Sequence, residues 1–428
     1  MVPGKFLWKP MVQRAVTGRS RQFRLASREP GWPGPLHSPG LYLHVPFCRD
    51  LCPFCPYNRV KYREDLFARY ERAVKEEVDL YAPRLAESTF GSLYVGGGTP
   101  TVDFRGLIRI LQHLRKSLQF KGDICIELHP ASMDEDCLRS LRDAGVAQLS
   151  IGVESLSDEL LRRIGRSHDG RMAREAVQRA LRTGFKSINV DLMFALPGQT
   201  LDDWISDVRE VVSLGIDQVS TYPLFSFPYS DLGRTQGLRR VGRPGHRMVR
   251  AMLNFTDDHC ERQGLHRCAV WSWLRPQKAK FSSITRHHYI GFGPSAASMT
   301  GADFYVNTFD EAAYAACLPH RRPVALSMPV DRRVEMAYWL YWRVYELKVV
   351  NREFQDLFGR ETSVDARFGR LFRPLLATGM MRRAADGYRI TRKGAYWIHR
   401  LQNEYSLNYI NRLWGSCRRQ PWPKEVTL

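Results

Sequence analysis

Short apolar runs alternate with amphipathic helical patterns along the chain from residue 41 onward. Between these runs, apolar residues recur with the 3.6-residue period of a helix, as at Leu66, Tyr70, Val74 and Val78. The runs with the length and composition of buried strands are 42–45, 92–95, 124–127, 147–151, 187–193 and 218–222. This repeated order of strand, helix and strand predicts right-handed βαβ units and a parallel sheet.

The number of predicted units gives the fold class and the domain boundaries. Six units fit an α/β fold built as a partial (β/α)6 barrel, short of the usual eight. Two helical patterns, a turn at Asp386-Gly387 and a strand-like segment after it are typical of a winged-helix-like domain. We expect a basic N-terminal arm at 1–40, the partial barrel at 41–235, a barrel extension and connector at 236–325, and a mostly helical, winged-helix-like domain at 326–428.

The unusual motifs of the sequence follow the predicted strands. In parallel α/β folds the chemistry gathers beyond the carboxyl ends of the strands, where loops converge. These motifs are a cysteine loop at 46–58, Gly96-Gly97-Gly98-Thr99-Pro100, Glu127, Gly152-Val153-Glu154, and Asp191 with Leu196-Pro197-Gly198-Gln199-Thr200. We therefore expect them to share one functional rim.

Three of the nine cysteines form a C-x3-C-x2-C motif, Cys48, Cys52 and Cys55. Thiolates this close can face one soft metal centre from a single loop, and three of them leave a four-iron cluster one ligand short. A zinc knuckle is the alternative, for which His44 is the nearest candidate fourth ligand. The other six cysteines are scattered, which argues against a disulfide framework.

The glycine loop and the acids have two interpretations each. Gly96-Gly97-Gly98 allows close backbone approach, so its N–H groups could bind a carboxylate or a zwitterion, or the loop could be only a tight turn. It is not a phosphate-binding fingerprint. Acids in apolar surroundings are costly unless paired. Glu127, Glu154 and Asp191 therefore either bind a cationic or hydroxylated ligand or pair with Arg166.

Composition adds a strong basic excess. The 428 residues contain 64 Lys and Arg against 44 Asp and Glu, a formal charge of +20, in an otherwise ordinary globular composition. No apolar run reaches the length of a membrane span, and the first forty residues lack the apolar core of a secretory signal. We expect a cytoplasmic protein.

The basic residues of 1–40 lie among several prolines. This arm is either a solvated extension or a peripheral contact with the anionic inner membrane surface. The remaining basic residues are spread among the acids, and no RNA-recognition motif is present, so we do not expect a nucleic-acid partner.

Together these motifs resemble the radical S-adenosylmethionine (SAM) superfamily, specifically the branch of oxygen-independent coproporphyrinogen III oxidase and its relatives. The resemblance implies that Cys48, Cys52 and Cys55 ligate a [4Fe-4S] cluster and that SAM binds the fourth iron. One electron, from a donor such as flavodoxin or ferredoxin, would then cleave SAM to methionine and a 5′-deoxyadenosyl radical. The cofactor-binding residues that it implies are Tyr42, Phe54, Gly96, Gly97, Gly98, Thr99, Glu127, Glu154, Arg166 and Asp191.

Within that set, the resemblance implies more specific roles. The Gly96–Thr99 loop would hold the methionyl amine of SAM, while Glu127, Arg166 and Asp191 match positions that bind SAM. Tyr42 and Phe54 would lie near the cluster and the adenine.

Three departures from the oxidase bear on the substrate. Tyr57 stands where the oxidase has a fourth cysteine, Glu154 where it has glutamine, and Ala195 where it has glycine. These departures weigh against decarboxylation of a porphyrinogen. The favoured hypothesis is a class C radical SAM methyltransferase that uses two SAM molecules, for example a menaquinone C8-methyltransferase.

Such an enzyme would methylate an sp2 carbon of an aromatic, hydrophobic substrate such as the menaquinone ring. The aromatic segment 338–345 would shape its apolar pocket, unless that segment is ordinary helix core. The alternatives are tetrapyrrole chemistry, as in coproporphyrinogen oxidation or anaerobic haem degradation, and a haem chaperone on the same fold.

Overall fold

The computed structural model describes residues 22–36, 38–225, 227, 230, 242–282, 287–318 and 320–428, except for the side chains of 402–410. Its strands are β1 (Arg24–Ala26), β2 (Gly40–Val45), β3 (Phe47–Cys48), β4 (Val60–Lys61), β5 (Ser92–Gly97), β6 (Asp123–Leu128), β7 (Val146–Glu154), β8 (Ser187–Phe194), β9 (Gln218–Pro223), β10 (His266–Ala269), β11 (Ser272–Leu274), β12 (Tyr289–Phe292), β13 (Ala297–Met299), β14 (Asp303–Asn307), β15 (Val324–Pro329), β16 (Lys348–Val350), β17 (Met381–Ala384), β18 (Gly387–Ile390) and β19 (Glu425–Thr427). Its helices are α1 (Glu64–Tyr81), α2 (Phe104–Ser117), α3 (Glu135–Asp143), α4 (Asp158–Arg163), α5 (Gly170–Thr183), α6 (Leu201–Ser213), α7 (His246–Arg262), α8 (Glu311–Cys317), α9 (Arg332–Tyr345), α10 (Asn351–Phe358), α11 (Val364–Ala377) and α12 (Arg392–Arg419).

A parallel sheet organises the first half of the chain. Strands β2, β5, β6, β7, β8 and β9 lie side by side in that order, each parallel to its neighbour. All six predicted strands are present, and the α/β fold class is confirmed. Because the strands run the same way, the cysteine loop, the glycine loop and the three acids reach one edge of the sheet.

The helices between these strands bury one apolar face each. In α1 this face includes Tyr70, Val74 and Val78, as the 3.6-residue period predicts. Side chains cap the N-termini of α2 to α6 but not that of α1, and at α6 Thr200 and Asp203 form a reciprocal capping box. The packed face of each helix fixes the strand that precedes it, and so the position of the loop at the strand's end.

Strands β10 to β15 extend the sheet on both sides of the parallel core. β10 and β11 add to β9 in antiparallel pairs, whereas β12 lies parallel to β2 and leads into the antiparallel run β13, β14 and β15. Part of the predicted connector at 236–325 is therefore continuous with the core sheet. Its residues 236–241, 283–286 and 319 lie outside the described residues.

The prediction that residues 1–40 form an N-terminal arm is partly wrong. Strand β1 lies between β15 and β19 in the main sheet, with Leu25 fully buried. Arg28 is paired with Asp303, and Glu29 with Arg322 at 2.6 Å. Charge composition missed this because the partners are distant in sequence. Residues 1–21 of the arm lie outside the described residues, and the membrane contact stays a prediction.

The C-terminal region contains a small second core. Strands β16, β18 and β17 form a three-stranded sheet against α9, α10 and α11, and the winged-helix-like domain stays a prediction. Trp339, Phe354, Phe368 and Tyr388 pack in its centre. Strands β15 and β19 of the same region belong to the main sheet instead. Among the described helices, none combines the length and apolarity needed to cross a bilayer.

Candidate functional site

The cysteine loop begins where β2 ends. Strand β3 brings Cys48 beside β4, and the N–H of Tyr62 donates to the carbonyl of Cys48 at 2.8 Å. The N–H of Cys55 donates to the carbonyl of Cys52 at 3.1 Å, which closes a tight turn. Phe54 lies in a buried apolar cluster with residues of α4 and β8, so the loop is anchored at its centre.

All three thiols of the motif line one cavity of about 430 Å³. None is in a disulfide. Thr99 Oγ1 donates to Cys48 Sγ, and Arg166 Nη1 to Cys52 Sγ, both at 3.5 Å. Burial raises the pKa of Cys48, and raises the pKa of Cys55 to about 12. A metal centre that displaces the thiol protons would remove the cost of burying thiolates. Three soft sulfur donors facing one cavity fit an iron–sulfur cluster.

The zinc alternative does not fit this loop. His44, the candidate fourth ligand, has both ring nitrogens engaged: Nδ1 with the hydroxyl of Tyr42 at 2.8 Å and Nε2 with the carbonyl of Asn58 at 2.9 Å. Burial lowers the pKa of His44 to about 4, so the ring is neutral. It fixes the returning end of the cysteine loop instead of completing a tetrahedral site.

The glycine loop is shaped by the residues against which it lies. Gly97 has φ +118°, a conformation that favours glycine, and an added Cβ would lie 2.8 Å from the ring of His44. At Gly98, a Cβ would lie 2.7 Å from the carbonyl oxygen of Phe47 and 2.9 Å from Cys48 Sγ. Because glycine has no side chain, this loop can approach the cysteine loop closely.

The expected use of the loop's N–H groups needs correction. The N–H of Gly97 donates to Glu127 Oε2 at 3.3 Å, that of Gly98 to the carbonyl of Val45 at 2.8 Å, and that of Thr99 to the carbonyl of Phe47 at 2.7 Å. These three donors are used within the protein and are not offered to a ligand carboxylate. Sequence could not show this because the acceptors belong to neighbouring strands and loops.

Glu127 and Asp191 enter the cavity from β6 and β8. Glu127 accepts the hydroxyl of Tyr94 and the N–H of the glycine loop, whereas Asp191 accepts from Ser150 at 2.7 Å and from Asn189 at 2.8 Å. Burial raises the pKa of both, that of Asp191 to about 7, with the neighbouring carboxylates adding to the effect. Such acids favour a cationic or hydroxylated ligand.

Glu154 and Arg166 form the second charged group of the site. Their closest nitrogen and oxygen lie 3.8 Å apart, both side chains are buried, and Tyr222 donates to Glu154 at 2.7 Å. Arg166 also donates to the carbonyl of Gly152, while its Nε has no hydrogen-bond partner among the described residues. The predicted pairing of an acid with Arg166 therefore holds for Glu154, and an unpartnered buried donor is present to meet a ligand.

The structure brings most of the predicted site residues into this cavity, but not all. Tyr42 and Gly96 do not line it: Tyr42 lies behind the wall, bound to His44, and a Cβ at Gly96 would meet Glu127 at 2.8 Å. The predicted residues that line the cavity are Cys48, Cys52, Phe54, Cys55, Gly97, Gly98, Thr99, Glu127, Glu154, Arg166 and Asp191.

The cavity also has aromatic and cationic lining residues, of which sequence reasoning missed Trp271 and Lys280. Trp271 lines the cavity with Tyr341, Trp342 and Tyr345 of α9, and Lys280 lies beside them, 2.6 Å from Glu346. One face of the aromatic segment 338–345 thus shapes the pocket, as one of its two interpretations predicted, while Trp339 on another face is core. Trp271 and Lys280 carried no motif in the sequence.

Two histidines near Arg166 were also missed. His129 lines the cavity, and its ring centroid lies 5.1 Å from that of His168. Burial, with the Arg166 charge next, lowers the pKa of His129 to about 2 and that of His168 to about 4. Both rings are therefore neutral neighbours of the arginine. His129 follows β6 directly. Its position at the end of a strand could have identified it from the sequence as a site residue.

Comparison with known proteins gives consistent matches. Residues 42–211 match the model of the radical SAM superfamily. The haem chaperone HemW of Bacillus subtilis (strain 168) is 25% identical over 365 residues, 82% of this chain and 95% of that protein. The oxygen-independent coproporphyrinogen III oxidase of Escherichia coli (strain K12) is 34% identical over 192 residues, 44% of this chain and 42% of that protein. The structure of coproporphyrinogen III oxidase (HemN) from Escherichia coli covers 89% of this chain and 95% of its own, at 22% identity and a TM-score of 0.75, so the two share a fold.

Proposed function

We propose that this chain is a radical SAM enzyme of the branch of coproporphyrinogen III oxidases and haem chaperones, and that its substrate is a tetrapyrrole. Its cofactors are those of the superfamily, a [4Fe-4S] cluster and SAM, which supply one-electron chemistry. The names of the relatives support the tetrapyrrole alternative. They give no support to methyl transfer or to a menaquinone substrate, the hypothesis that the sequence analysis favoured.

The observation that carries this proposal is the composition of the single cavity that holds the cysteine motif. The cavity is lined by the thiols, Arg166 and the three acids, and also by Trp271, Tyr341, Trp342 and Tyr345. Flat aromatic side chains offer stacking faces to a planar or nearly planar ring system.

Cations at the cavity suit the carboxylates of a tetrapyrrole. Lys280 and Arg59 line it, and Arg59 Nη1 donates to the carbonyl of Cys55 at 3.0 Å, which places a guanidinium between the cysteine loop and the cavity. Ionised propionate groups form charge-assisted hydrogen bonds to such side chains. In this proposal the aromatic wall orients the ring, the cations hold its carboxylates, and the buried acids and Arg166 hold SAM.

The departures from the oxidase have structural consequences that favour a related reaction over the same one. Tyr57 is exposed, and its ring lies 5.7 Å from that of Trp414 of α12. Tyr57 also lines the cavity, so this position contacts both the C-terminal helix and the site. Glu154, which replaces a glutamine, is held by Tyr222 and Arg166. We propose a changed outcome for the tetrapyrrole, with a flavodoxin or ferredoxin as electron donor.

The cluster assignment is tested by cysteine replacement. Cys48→Ala, Cys52→Ala and Cys55→Ala, each in the full chain reconstituted anaerobically, are expected to lose the brown iron–sulfur absorption and 5′-deoxyadenosine formation. The matched control is Cys317→Ala, a partly exposed thiol on α8 outside the cavity. If all three motif variants keep four irons per chain, these cysteines are not the ligands.

The substrate is tested separately, with the reconstituted protein, SAM and dithionite. Coproporphyrinogen III, haem and menaquinone are supplied in parallel, and 5′-deoxyadenosine and product masses are measured by mass spectrometry. A tetrapyrrole-dependent rise in 5′-deoxyadenosine is expected. Trp342→Ala should raise the apparent KM for the tetrapyrrole, whereas Trp397→Ala, an exposed aromatic control on α12, should not. S-adenosylhomocysteine with a methylated quinone would refute the proposal.

Haem binding without turnover is a second candidate function. It is favoured by one observation, the similarity to a haem chaperone over 95% of that protein's length. In the same experiment it predicts a stoichiometric haem absorption band and no 5′-deoxyadenosine above the level without substrate. A product mass different from that of haem would exclude it.

A further inference from the structure

Two adjacent histidines and a glutamate converge away from the cavity. His287 and His288 precede β12, and Glu335 lies in the first turn of α9. His288 Nε2 lies 2.7 Å from Glu335 Oε1, and His287 Nε2 lies 3.2 Å from the same oxygen. All three donor atoms lie within 4.8 Å of one another. None of the three residues lines the cavity that contains the cysteines.

This arrangement has the donor set of a metal site. Zinc binds imidazole nitrogen and carboxylate oxygen at about 2.0–2.2 Å, so that its tetrahedral ligands lie roughly 3.3 Å from one another. Imidazole with carboxylate also accepts other divalent first-row ions. The contacts of 2.7 Å and 3.2 Å are hydrogen-bond distances, and both imidazole nitrogens converge on one carboxylate oxygen. A divalent ion would displace the hydrogen-bonding protons and move the three donor atoms apart to the spacing of its ligands.

The surroundings leave room for an ion and hold its ligands in place. Gly301 adjoins the group with φ +81°, and a Cβ there would lie 2.9 Å from His288 Nε2 and 3.3 Å from Glu335 Oε1. The N–H of Gly40 donates to the carbonyl of His288 at 2.9 Å. Asp331 caps α9 by accepting from the N–H of Val334 at 2.8 Å, which fixes the turn that carries Glu335.

We propose that His287, His288 and Glu335 form a second metal site, separate from the cysteine motif, that binds one divalent transition-metal ion such as Zn²⁺. Three protein ligands leave one position of a tetrahedral ion for water or a small exogenous ligand. The site joins two parts of the fold, because β12 belongs to the main sheet and α9 to the C-terminal core. Since α9 also carries Tyr341 and Trp342 into the cavity, the ion would fix one wall of the substrate site.

Zinc binding to the cluster-loaded full chain tests this proposal without measuring activity. The protein is dialysed anaerobically against Zn²⁺ buffered by a chelator, and bound zinc is counted by elemental analysis beside iron. One zinc per chain is expected in addition to the cluster. Its X-ray absorption spectrum should show nitrogen and oxygen neighbours at about 2.0–2.1 Å and no sulfur shell at about 2.3 Å.

Zinc affinities of variants test whether these three residues are the ligands. His288→Gln and Glu335→Gln should each weaken zinc binding by about 100-fold, with the brown absorption of the cluster and the far-UV circular dichroism unchanged. His266→Gln, at an exposed histidine of β10, is the matched control and should bind zinc as the unmodified chain does. Gly301→Ala should also weaken zinc binding, because it fills the space for the ion while it keeps all three ligands. No zinc retained, a sulfur shell, or unchanged affinity in both ligand variants would overturn the proposal.

Discussion

Glu77 should make the stability of this protein fall with pH. The residue is fully buried in α1, and it accepts hydrogen bonds from the N–H of Gly293 and from Asn307, both at 2.8 Å, and from the hydroxyl of Tyr314. It thus joins the first helix to the sheet extension and to α8. Burial raises its pKa from 4.5 to about 7, although the hydrogen bonds oppose the rise. The perturbation that tests this is Glu77→Gln.

The sign and size of the effect follow from proton linkage. The folded protein holds the Glu77 proton more tightly than the unfolded chain does, so the stabilisation is complete below pH 4.5 and is lost as the pH rises through about 7. The difference between the two pKa values, about 2.5, corresponds to about 3 kcal/mol at about 1.4 kcal/mol per pKa unit. Glutamine cannot titrate, and it keeps most of the hydrogen-bonding capacity.

Urea unfolding at pH 4.5 and pH 8.5 measures the effect. The free energy of unfolding of the unmodified chain, minus that of Glu77→Gln, should be about 3 kcal/mol lower at the higher pH. Glu76→Gln is the matched control: Glu76 is the exposed neighbour on the same helix, and the corresponding difference should not change with pH. If the Glu77 and Glu76 variants show the same pH dependence, Glu77 titrates normally and its burial does not strain the fold.

Three further predictions concern the site. Ala195 has φ +58°, and Ala195→Gly should raise the free energy of unfolding by about 0.5 kcal/mol in urea, because relief of roughly 1–2 kcal/mol exceeds the entropy cost of glycine. Gly98→Ala should lower the iron content after reconstitution, because its methyl group would crowd Cys48 Sγ. If ionised Asp191 holds SAM, the SAM dissociation constant by anaerobic calorimetry should be about tenfold higher at pH 6 than at pH 8, and Asp191→Asn should largely remove that dependence.

Each of these has a clear contrary result. A lower stability of the Ala195 variant would mean that the alanine side chain contributes packing that outweighs its backbone strain. Full iron occupancy with Gly98→Ala would show that the cysteine loop can move away from the glycine loop. If the pH dependence of SAM binding survives Asp191→Asn, the group that titrates is Glu127 or Glu154 instead. Burial raises the pKa values of these two residues as well.

The parallel core could be predicted from sequence because its information is local. Apolar runs and helical periods reveal each unit, and the strand ends identify Glu127 and Asp191 without knowledge of any contact. Contacts between distant segments were not predictable in this way. The occupied N–H groups of the glycine loop, the engagement of His44, and Lys280 at the cavity depend on which strand lies beside which. A composition window also cannot show that Arg28 meets Asp303.

The position of β1 has a consequence for the order in which the chain folds during synthesis. Arg24 pairs with Glu425 across a separation of 401 residues, and the same strand also needs β15 beside it. On a ribosome, β1 is made long before β15 and β19. Until then its backbone donors have no native partner and its apolar Leu25 has no core. Closure of this edge is therefore exposed to competition from chaperones and from mispairing with other nascent chains.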